Sequence, residues 1–281
     1  MTGYEQLRIV SPYPIKIIEE IRLDWKPNEH GKLIVRGLVD DSQQVEAVLK
    51  ASTGDTIRLM ESTEAGEHPI FSGIVSEARG IHRAGVYLLE IVALSGTAVL
   101  DVQKKRRSFQ DPNMTYEALM KAVLAEYSGA DAIVLEGGKE NIGEPIVQYD
   151  ETDWEFLKRI ASHSQAVVIS DILEARPRMW IGVPDLGQIE FPENAPYTAS
   201  KNIKQFSLAT AEGARLHDTD FFHYEIQSGE RYRIGNETWL RNKRMIVSEV
   251  RASMNKGQFV YTYRLARRNG IRQSRIHNEN M

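Results

Sequence analysis

The sequence predicts a mainly β fold with an α+β insertion. Short runs rich in β-branched and aromatic residues fill the first hundred positions, helical periodicity is confined to the middle of the chain, and strand-like runs return after about Pro196. The chain has 281 residues. This exceeds a typical domain of roughly 100–200 residues, so more than one core is expected. Two β regions should therefore flank a mixed α/β region.

The first β region is built from short strands. Turn residues separate them, notably Gly54-Asp55 and Ala84-Gly85, and no long helical period interrupts them. Short strands joined by turns indicate an antiparallel sandwich or barrel. The predicted strands are residues 15–17, 33–39, 56–60, 71–75 and 86–93.

Two helices and two strands are predicted in the middle of the chain. Apolar residues recur at helical spacing between Thr115 and Tyr127, which indicates an amphipathic helix. A second helix should begin at Thr152, because Thr152 and Glu155 have the spacing of a capping box. Strands are expected at residues 166–170 and 179–183.

The last part of the chain returns to strand-like runs and contains a short repeat. The runs are residues 222–226, 245–251 and 258–265. Residues 74–79 recur at 246–251 with one difference, Val250 in place of Ala78, and each copy reaches a turn glycine at the same distance, Gly85 or Gly257. Such a match arises either by chance between two β-hairpins or by duplication of a β-domain. Duplication would let a three-fold oligomer present six roughly equivalent surfaces.

Composition and charge narrow the class of function. A net charge of -4 and a pI near 6.0 give no general attraction for nucleic acid, whose binding domains are usually strongly basic. The chain has no cysteine, which excludes disulfides, a thiolate nucleophile and cysteine-ligated zinc. Its first residues lack the pattern of a signal peptide, and no apolar stretch reaches the roughly 18–20 residues that span a bilayer. We therefore expect neither nucleic-acid binding nor membrane insertion.

A search for catalytic residues leads to one group of carboxylates. Asp150, Glu151, Asp153 and Glu155 are close in sequence, and a glycosidase needs an acid and a base across a sugar bond. Acidic groups at the start of a helix also stabilise its positive dipole end, which is the simpler explanation. The histidines lack metal-ligand spacing apart from the separated His217 and His223, although a three-fold axis could assemble a site from one histidine per chain. The serines lack the Gly-x-Ser-x-Gly elbow. No catalytic residue, cofactor or metal site is predicted.

Two groups of basic residues could contact a partner. Residues 104–107 read Lys-Lys-Arg-Arg, a run that is usually a solvated strand or linker and lacks the broad basic footprint of a nucleic-acid site. Near the C-terminus, arginines follow one another without an intervening acid, either as a charged tail or as a contact to an acidic partner. These arginines are Arg264, Arg267, Arg268, Arg272 and Arg275.

Three segments resemble one known family. The first is residues 71–75, continuing to 85–90 and Ser95. The second is residues 100–101, followed by 104–111 and the start of a helix at 114–116, and the third is residues 147–161. The third reads Val-Gln-Tyr-Asp-Glu-Thr-Asp-Trp-Glu-Phe-Leu-Lys-Arg-Ile-Ala. In these segments the chain resembles phage late-control D proteins, VgrG proteins and related hubs of contractile tails.

The resemblance implies a hub in three parts. A first tail-tube-like antiparallel β-barrel would span residues 1–100, a middle α+β domain residues 101–195, and a second β-barrel with the basic tail residues 196–281. Three chains would form a ring that mimics a hexamer and joins the six-fold tail tube to a three-fold central spike. The family is structural, so no enzymatic activity is expected.

The resemblance also implies partners and interfaces. The expected partners are further copies of the chain, the tail tube protein, the central spike protein and other baseplate subunits, assembled in the bacterial cytoplasm. Arginines of the basic run would pair with carboxylates of a neighbouring domain or subunit, and the C-terminal arginines with an acidic spike or baseplate subunit. The interface candidates are Arg106, Arg107, Phe109, Asp111, Trp154, Arg267, Arg268, Arg272 and Arg275.

Two other functions stay open at the level of sequence. A tail-associated peptidoglycan hydrolase would require a cleft with two positioned carboxylates. A carbohydrate-binding β-protein would be monomeric and would bind glycans through an aromatic patch. The sequence singles out neither such a cleft nor such a patch.

Overall fold

The computed structural model describes residues 7–40, 54–63, 66–189, 203–210, 222–228, 231–240, 243–255 and 258–278. Its strands form an 11-stranded sheet, a 3-stranded sheet and a 2-stranded sheet. The prediction of a mainly β protein with a mixed α/β insertion is confirmed.

The elements follow one another along the chain with these bounds. The strands are β1 (Leu7–Val10), β2 (Ile17–Trp25), β3 (Lys32–Leu38), β4 (Thr56–Thr63), β5 (Gly66–Arg83), β6 (Val86–Ser95), β7 (Lys104–Phe109), β8 (Asp131–Val134), β9 (Ile146–Thr152), β10 (Val168–Ser170), β11 (Arg178–Ile181), β12 (Ile203–Thr210), β13 (Phe222–Ser228), β14 (Glu237–Leu240), β15 (Lys243–Asn255) and β16 (Gln258–Ala266). The α-helices are α1 (Tyr116–Leu124) and α2 (Asp153–Ser162), and two short 3-10 helices lie at Gly96–Asp101 and Arg268–Gly270.

The large sheet contains two β units with the same topology. We call β1 to β6 the first β unit, β7 to β11 with both helices the middle unit, and β12 to β16 the second β unit. In the first unit the strand order is β4-β5-β6-β3-β2, and in the second it is β14-β15-β16-β13-β12, with every neighbouring pair antiparallel. Five strands of the first unit, β2 to β6, therefore have counterparts in the second, and β1 is added at the outer edge of β4.

The two units also share their register. Ile74 is paired with Leu94 in β5 and β6, and Ile246 is paired with Ala266 in β15 and β16. Bulges interrupt the ladder at equivalent points, after Val75 and after Val247. The β2–β3 and β12–β13 hairpins likewise carry bulges after Ile18 and after Ile203. This agreement supports duplication as the origin of the sequence repeat.

The two β units join edge to edge through β2 and β15. Trp25 is paired with Val250 and Leu23 with Ala252, so the strands of both units belong to one continuous sheet. Alternate residues of β2 point into the core, with Ile21, Leu23 and Trp25 buried. The strand predicted at residues 15–17 was wrong in its bounds, because this alternation of buried residues lies within Ile17–Trp25.

The length of β5 also differs from expectation. The sequence predicted a short strand at residues 71–75, whereas β5 extends over 18 residues. Its first part pairs with β4 and its last part forms a two-residue hairpin with β6. The extra length carries β5 beyond the end of β4.

The middle unit has its own apolar core. Leu119 and Val123 of α1 pack in one buried cluster with Phe156 and Ile160 of α2. The predicted capping box is present: the Thr152 hydroxyl accepts a hydrogen bond from Glu155 N at 3.1 Å, and Glu155 Oε2 accepts one from Thr152 N at 2.8 Å.

The middle unit packs against the turn between β2 and β3. Trp25 Nε1 donates a hydrogen bond to Ser170 O at 2.9 Å, and Gly31 N donates one to Ser170 Oγ at 3.1 Å. The imidazole of His30 lies 4.3 Å from the Trp154 indole, measured between ring centroids. These contacts fix the insertion on the first β unit.

Candidate assembly interface

The basic run forms strand β7, and its side chains alternate between two environments. Lys105 and Arg107 are partly buried, whereas Lys104 and Arg106 are exposed, as the period of two in a strand requires. β7 pairs antiparallel with β9. The two candidate arginines, Arg106 and Arg107, therefore face opposite sides of this sheet.

Arg107 belongs to a buried charge cluster around Asp153. It contacts the Asp153 carboxylate directly, and Lys105 Nζ lies 2.9 Å from the same carboxylate. Tyr127 Oη donates a hydrogen bond to Asp153 at 2.6 Å, and Gln148 Nε2 donates another at 2.9 Å. The Asp153 side chain has no exposed surface, so this carboxylate is paired with cations and hydrogen-bonded in the interior.

The surroundings of Asp153 change its protonation equilibrium. Burial by itself raises the pKa of this carboxyl, but the hydrogen bonds from Tyr127, Gln148 and Lys105 and the positive charge of Arg107 lower it. The net pKa lies below the usual value. Asp153 is therefore ionised at neutral pH and acts as an anchor between α2 and β7.

Arg106 is available at the surface. Its side chain is 67% exposed, its guanidinium lies 4.8 Å from the Tyr149 ring centroid, and its closest carboxylate is Asp150 at 3.7 Å. Both contacts are at the surface, where such pairs contribute little to stability. Arg106 is accessible to a partner, whereas Arg107 is paired with the buried Asp153 of its own chain.

The other candidates near the middle unit differ in exposure. Phe109 stacks on Phe156 with ring centroids 5.6 Å apart. Trp154 is 2% exposed and contacts His30 of the first β unit, so it joins two parts of the same chain. Asp111 is exposed, and its Oδ1 accepts a hydrogen bond from Asn113 N at 2.9 Å.

The acidic residues around α2 have structural partners. Glu151 and Arg159 form a buried ion pair with an N–O distance of 2.5 Å, and Arg159 also donates to Val147 O at 2.7 Å. Glu155 completes the capping box, and Asp153 lies in the cluster of cations. These three carboxylates stabilise the middle unit rather than face one another across a cleft.

The C-terminal segment after β16 returns to the middle unit. Arg268 Nη1 donates to Val183 O at 2.8 Å, and Arg272 Nη1 donates to Gln165 Oε1 at 3.2 Å. Gln273 Nε2 donates to Lys158 O at 3.1 Å. The segment therefore lies against the end of α2.

The remaining C-terminal candidates lie on the same segment. Arg275 is exposed and Arg267 is partly buried. Sequence reasoning missed the contact between this segment and α2, because no local pattern marks it. It also missed the roles of Tyr127 and Gln148, which only the tertiary structure brings to Asp153.

The part of the chain that the structure describes has neither a metal-binding group nor a membrane-spanning helix. Its histidines and carboxylates form no group of three or more that could hold a metal ion. Its helices are all too short or too polar to cross a membrane.

The family of the chain follows from comparison with known proteins. The family model of the phage tail baseplate hub (GPD) matches residues 31–181, which is more than half of the 281 residues. The chain belongs to this family. The matched region of the hub runs from β3 to β11 and includes the whole Asp153 cluster. The resemblance seen in the sequence is confirmed.

Solved structures share the fold of this hub at low sequence identity. A tail protein from Neisseria meningitidis MC58 superposes with a TM-score of 0.71 at 12% identity, over 96% of this chain and 98% of that chain. An Escherichia coli component of the type VI secretion system gives a TM-score of 0.67 at 12% identity, over 97% and 80%. The Francisella PdpA–VgrG complex gives 0.58 at 10% identity, over 98% and 59%. These likenesses show the fold of the hub. No curated protein matches it in sequence.

Proposed function

We propose that three copies of this chain form a ring at the centre of a baseplate. The ring adapts the six-fold tail tube to the three-fold central spike, and it transmits load between them. It acts by matching symmetry and performs no chemical reaction. The particle is a phage tail or a phage-tail-like machine that is assembled in the bacterial cytoplasm.

The observation that carries this proposal is the repeated topology of the two β units. Because β4-β5-β6-β3-β2 and β14-β15-β16-β13-β12 have the same order and register, each chain contributes two similar β units. Three chains in a closed ring then present six such units to a six-fold partner, while the ring keeps three-fold symmetry. A single chain with one β unit could not meet both symmetries in this way.

The proposal includes the division of the chain and its partners. Residues 1–100 and 196–281 are the two tube-like domains, and residues 101–195 are the middle domain. The partners are the tail tube protein, the spike protein and other baseplate subunits, without nucleic acid or membrane insertion. The solved VgrG of Francisella is in complex with a second protein, PdpA, which supports assembly with other subunits.

The exposed candidates are proposed as contacts within this assembly. Arg106 and Asp111 lie at the surface of the middle unit, and Arg275 lies on the C-terminal segment. Arg107 and Trp154 support those surfaces from within the chain. Four further candidates also have contacts within the chain, and we propose them as part of the same interface. They are Phe109, Arg267, Arg268 and Arg272.

The first experiment is the absolute mass of the purified chain by light scattering, with image averages of the same particles. We expect a mass near three times the chain mass of 31.9 kDa and a ring with a pseudo-six-fold outline. If the chain stays monomeric, it is co-expressed with a spike protein. A chain that is monomeric in both cases contradicts the ring. A zymogram on peptidoglycan tests the hydrolase alternative, and clearing would contradict a purely structural role.

A further inference from the structure

The joint between the two β units involves a change of partner along one edge of β15. Residues 243–246 of β15 pair with β14, and Val247 N then donates a hydrogen bond to Asn236 O at 2.9 Å. Beyond the Ser248 bulge, residues 250–253 of the same strand pair with β2. The same edge of β15 therefore pairs first with β14 and then with β2 of the first β unit.

In the first β unit, β5 pairs with β4 in the same way as β15 pairs with β14, but no strand equivalent to β2 follows among the described strands. β5 pairs with β4 up to Ile74, and Val75 N donates to Asp55 O at 2.8 Å, which is the counterpart of the Val247–Asn236 bond. Beyond the bulge at Ser76, residues 78–80 pair with β6 on one side. No described strand pairs with them on the side where β15 receives β2.

Burial of equivalent residues differs between the two strands. Val250 and Ala252 of β15 are each 2% exposed. Their counterparts in β5, Ala78 and Gly80, are half-buried and exposed. The strands around β5 and β15 correspond. The strand that pairs with β15 but has no equivalent beside β5 is β2.

The counterpart of β2 is β12, and it ends the large sheet. β12 pairs with β13 on one side, and no described strand pairs with its outer edge. The outer edge of β2 is the edge that pairs with β15. The chain thus carries one half of the joint at β12 and the other half at β5.

We infer that β12 of one copy pairs antiparallel with residues 78–80 of β5 in the next copy, so that the joint seen within the chain is repeated between chains. This inference rests on the proposed ring and names the strands that close it. Unpaired strand edges readily add a further strand. A contact between two different edges of the same chain leads to a closed ring when the rotation closes. The occupant is therefore a second copy of this chain.

The shared register predicts which residues face each other. His223 of β13 corresponds to Lys32 of β3, because their partners Ala266 and Leu94 correspond. Asp24 is paired with Lys32 and Ala209 with His223, so Ala209 corresponds to Asp24. Within the chain, Asp24 is paired with Arg251, whose counterpart is Arg79. The predicted pairs between copies are Thr210 with Ala78, Ala209 with Arg79, and Leu208 with Gly80.

Engineered disulfides test this register directly, because the natural chain has no cysteine. The double variant Arg79→Cys with Ala209→Cys is oxidised and separated on a non-reducing gel. Within one chain the two positions are separated by β6, β3, β2, β15, β16 and β13, so a disulfide between them joins different copies. We expect a ladder that ends at a covalent trimer. A mixture of the two single variants should give dimers only.

The matched control shifts the register by two residues. In the variant Glu77→Cys with Ala209→Cys the first cysteine lies on the same face of β5 but about 7 Å further along the strand. This displacement exceeds the reach of a disulfide, so we expect about tenfold less cross-linked product. Equal cross-linking of both variants would overturn the predicted register.

Light scattering of the unmodified chain separates this inference from the ring itself. A trimer whose in-register cysteines do not cross-link overturns the β12–β5 joint and leaves the ring. A monomer whose in-register cysteines are trapped as a covalent trimer at high concentration supports the joint and contradicts a stable free ring. If neither trimer nor cross-link forms, with the chain alone or co-expressed with a spike protein, both the joint and the ring are overturned.

Discussion

Ser76 and Ser248 make the same hydrogen bond at equivalent bulges of the two β units. Ser76 Oγ donates to Val92 O at 3.1 Å, and Ser248 Oγ donates to Arg264 O at 3.0 Å. In each unit the accepting residue is the ladder partner of the glutamate that follows the serine. A bulge leaves one residue outside the ladder, and here its hydroxyl binds a carbonyl of the neighbouring strand. The similarity of the two β units thus extends to side-chain contacts.

The two serines should differ in their contribution to stability. Ser248 is 5% exposed, whereas Ser76 is exposed to solvent. We expect Ser248→Ala to lower the free energy of unfolding by about 1 kcal/mol, because a partly buried carbonyl loses its donor. Ser76→Ala should cost less, since water can replace the hydroxyl. Urea denaturation of both variants at low protein concentration measures the difference, and equal costs would contradict it.

Asp153 should be the most sensitive carboxylate of the middle unit. We expect Asp153→Asn to lower the free energy of unfolding by about 3 kcal/mol, because Lys105 and Arg107 lose a buried partner. The control is Asp150→Asn. Asp150 has a φ of 54° and an exposed side chain, and asparagine tolerates that conformation. The control should change stability by less than about 0.5 kcal/mol. Similar losses in both variants would argue against the cluster as an anchor.

The same carboxylate should contribute to acid unfolding. The pKa of Asp153 is lower in the folded chain than in the unfolded chain, where it is about 3.9. Its contribution to stability is therefore complete above about pH 4 and is lost as the pH falls through the folded pKa. We expect Asp153→Asn to flatten the fall in stability below about pH 4. Denaturation midpoints between pH 2 and 7 measure this slope, and an unchanged slope would contradict the lowered pKa.

Charge reversal should separate the roles of Arg106 and Arg107. Arg107→Glu places a carboxylate beside Asp153 and Glu126, so we expect a loss of about 4 kcal/mol or more in the free energy of unfolding. Arg106→Glu should cost less than about 1 kcal/mol, because its contacts are at the surface. If Arg106 contacts a neighbouring subunit, this variant should be folded and should form a weaker trimer. An unchanged mass would remove Arg106 from the interface.

Removal of the C-terminal segment should loosen α2. A chain that ends at Ile271 lacks Gln273, which donates to Lys158 O, and Ile276, whose N donates to Ser162 Oγ at 2.8 Å. We expect a loss of about 2 kcal/mol in the free energy of unfolding and faster amide exchange at residues 158–166. A chain that ends at Asn278 keeps these contacts and is the control. Unchanged exchange in the shorter chain would show that the segment does not support α2.

The β5–β6 hairpin offers a stabilising substitution. Ala84 has a φ of 50° and Gly85 a φ of 79°, and Arg83 is paired with Val86, as in a two-residue turn with both central residues left-handed. Asparagine adopts this conformation more readily than alanine. We expect Ala84→Asn to raise the free energy of unfolding by about 0.5 kcal/mol. Ala84→Val should lower it, because a β-branched residue is strained there. A stabilising valine would contradict this turn.

Local and periodic features were determined by the sequence. The helix at Thr152 and its capping box follow from residues three apart, and the similarity of the two β units is visible in residues 74–79 and 246–251. The family is recognisable from the segments around β7 and α2. Each of these features is visible within short segments of the sequence: the helix start by its spacing, the repeat by two matching segments, and the family by resemblance to known hubs.

Contacts between distant segments were decided only by the tertiary structure. Nothing in the basic run indicates that Arg107 meets Asp153 while Arg106 faces solvent, because that separation depends on the register of β7 against β9. The packing of the C-terminal segment on α2 and the pairing of β2 with β15 join residues more than a hundred positions apart. Such contacts form because the completed fold brings these surfaces together, and no local pattern in the sequence encodes them.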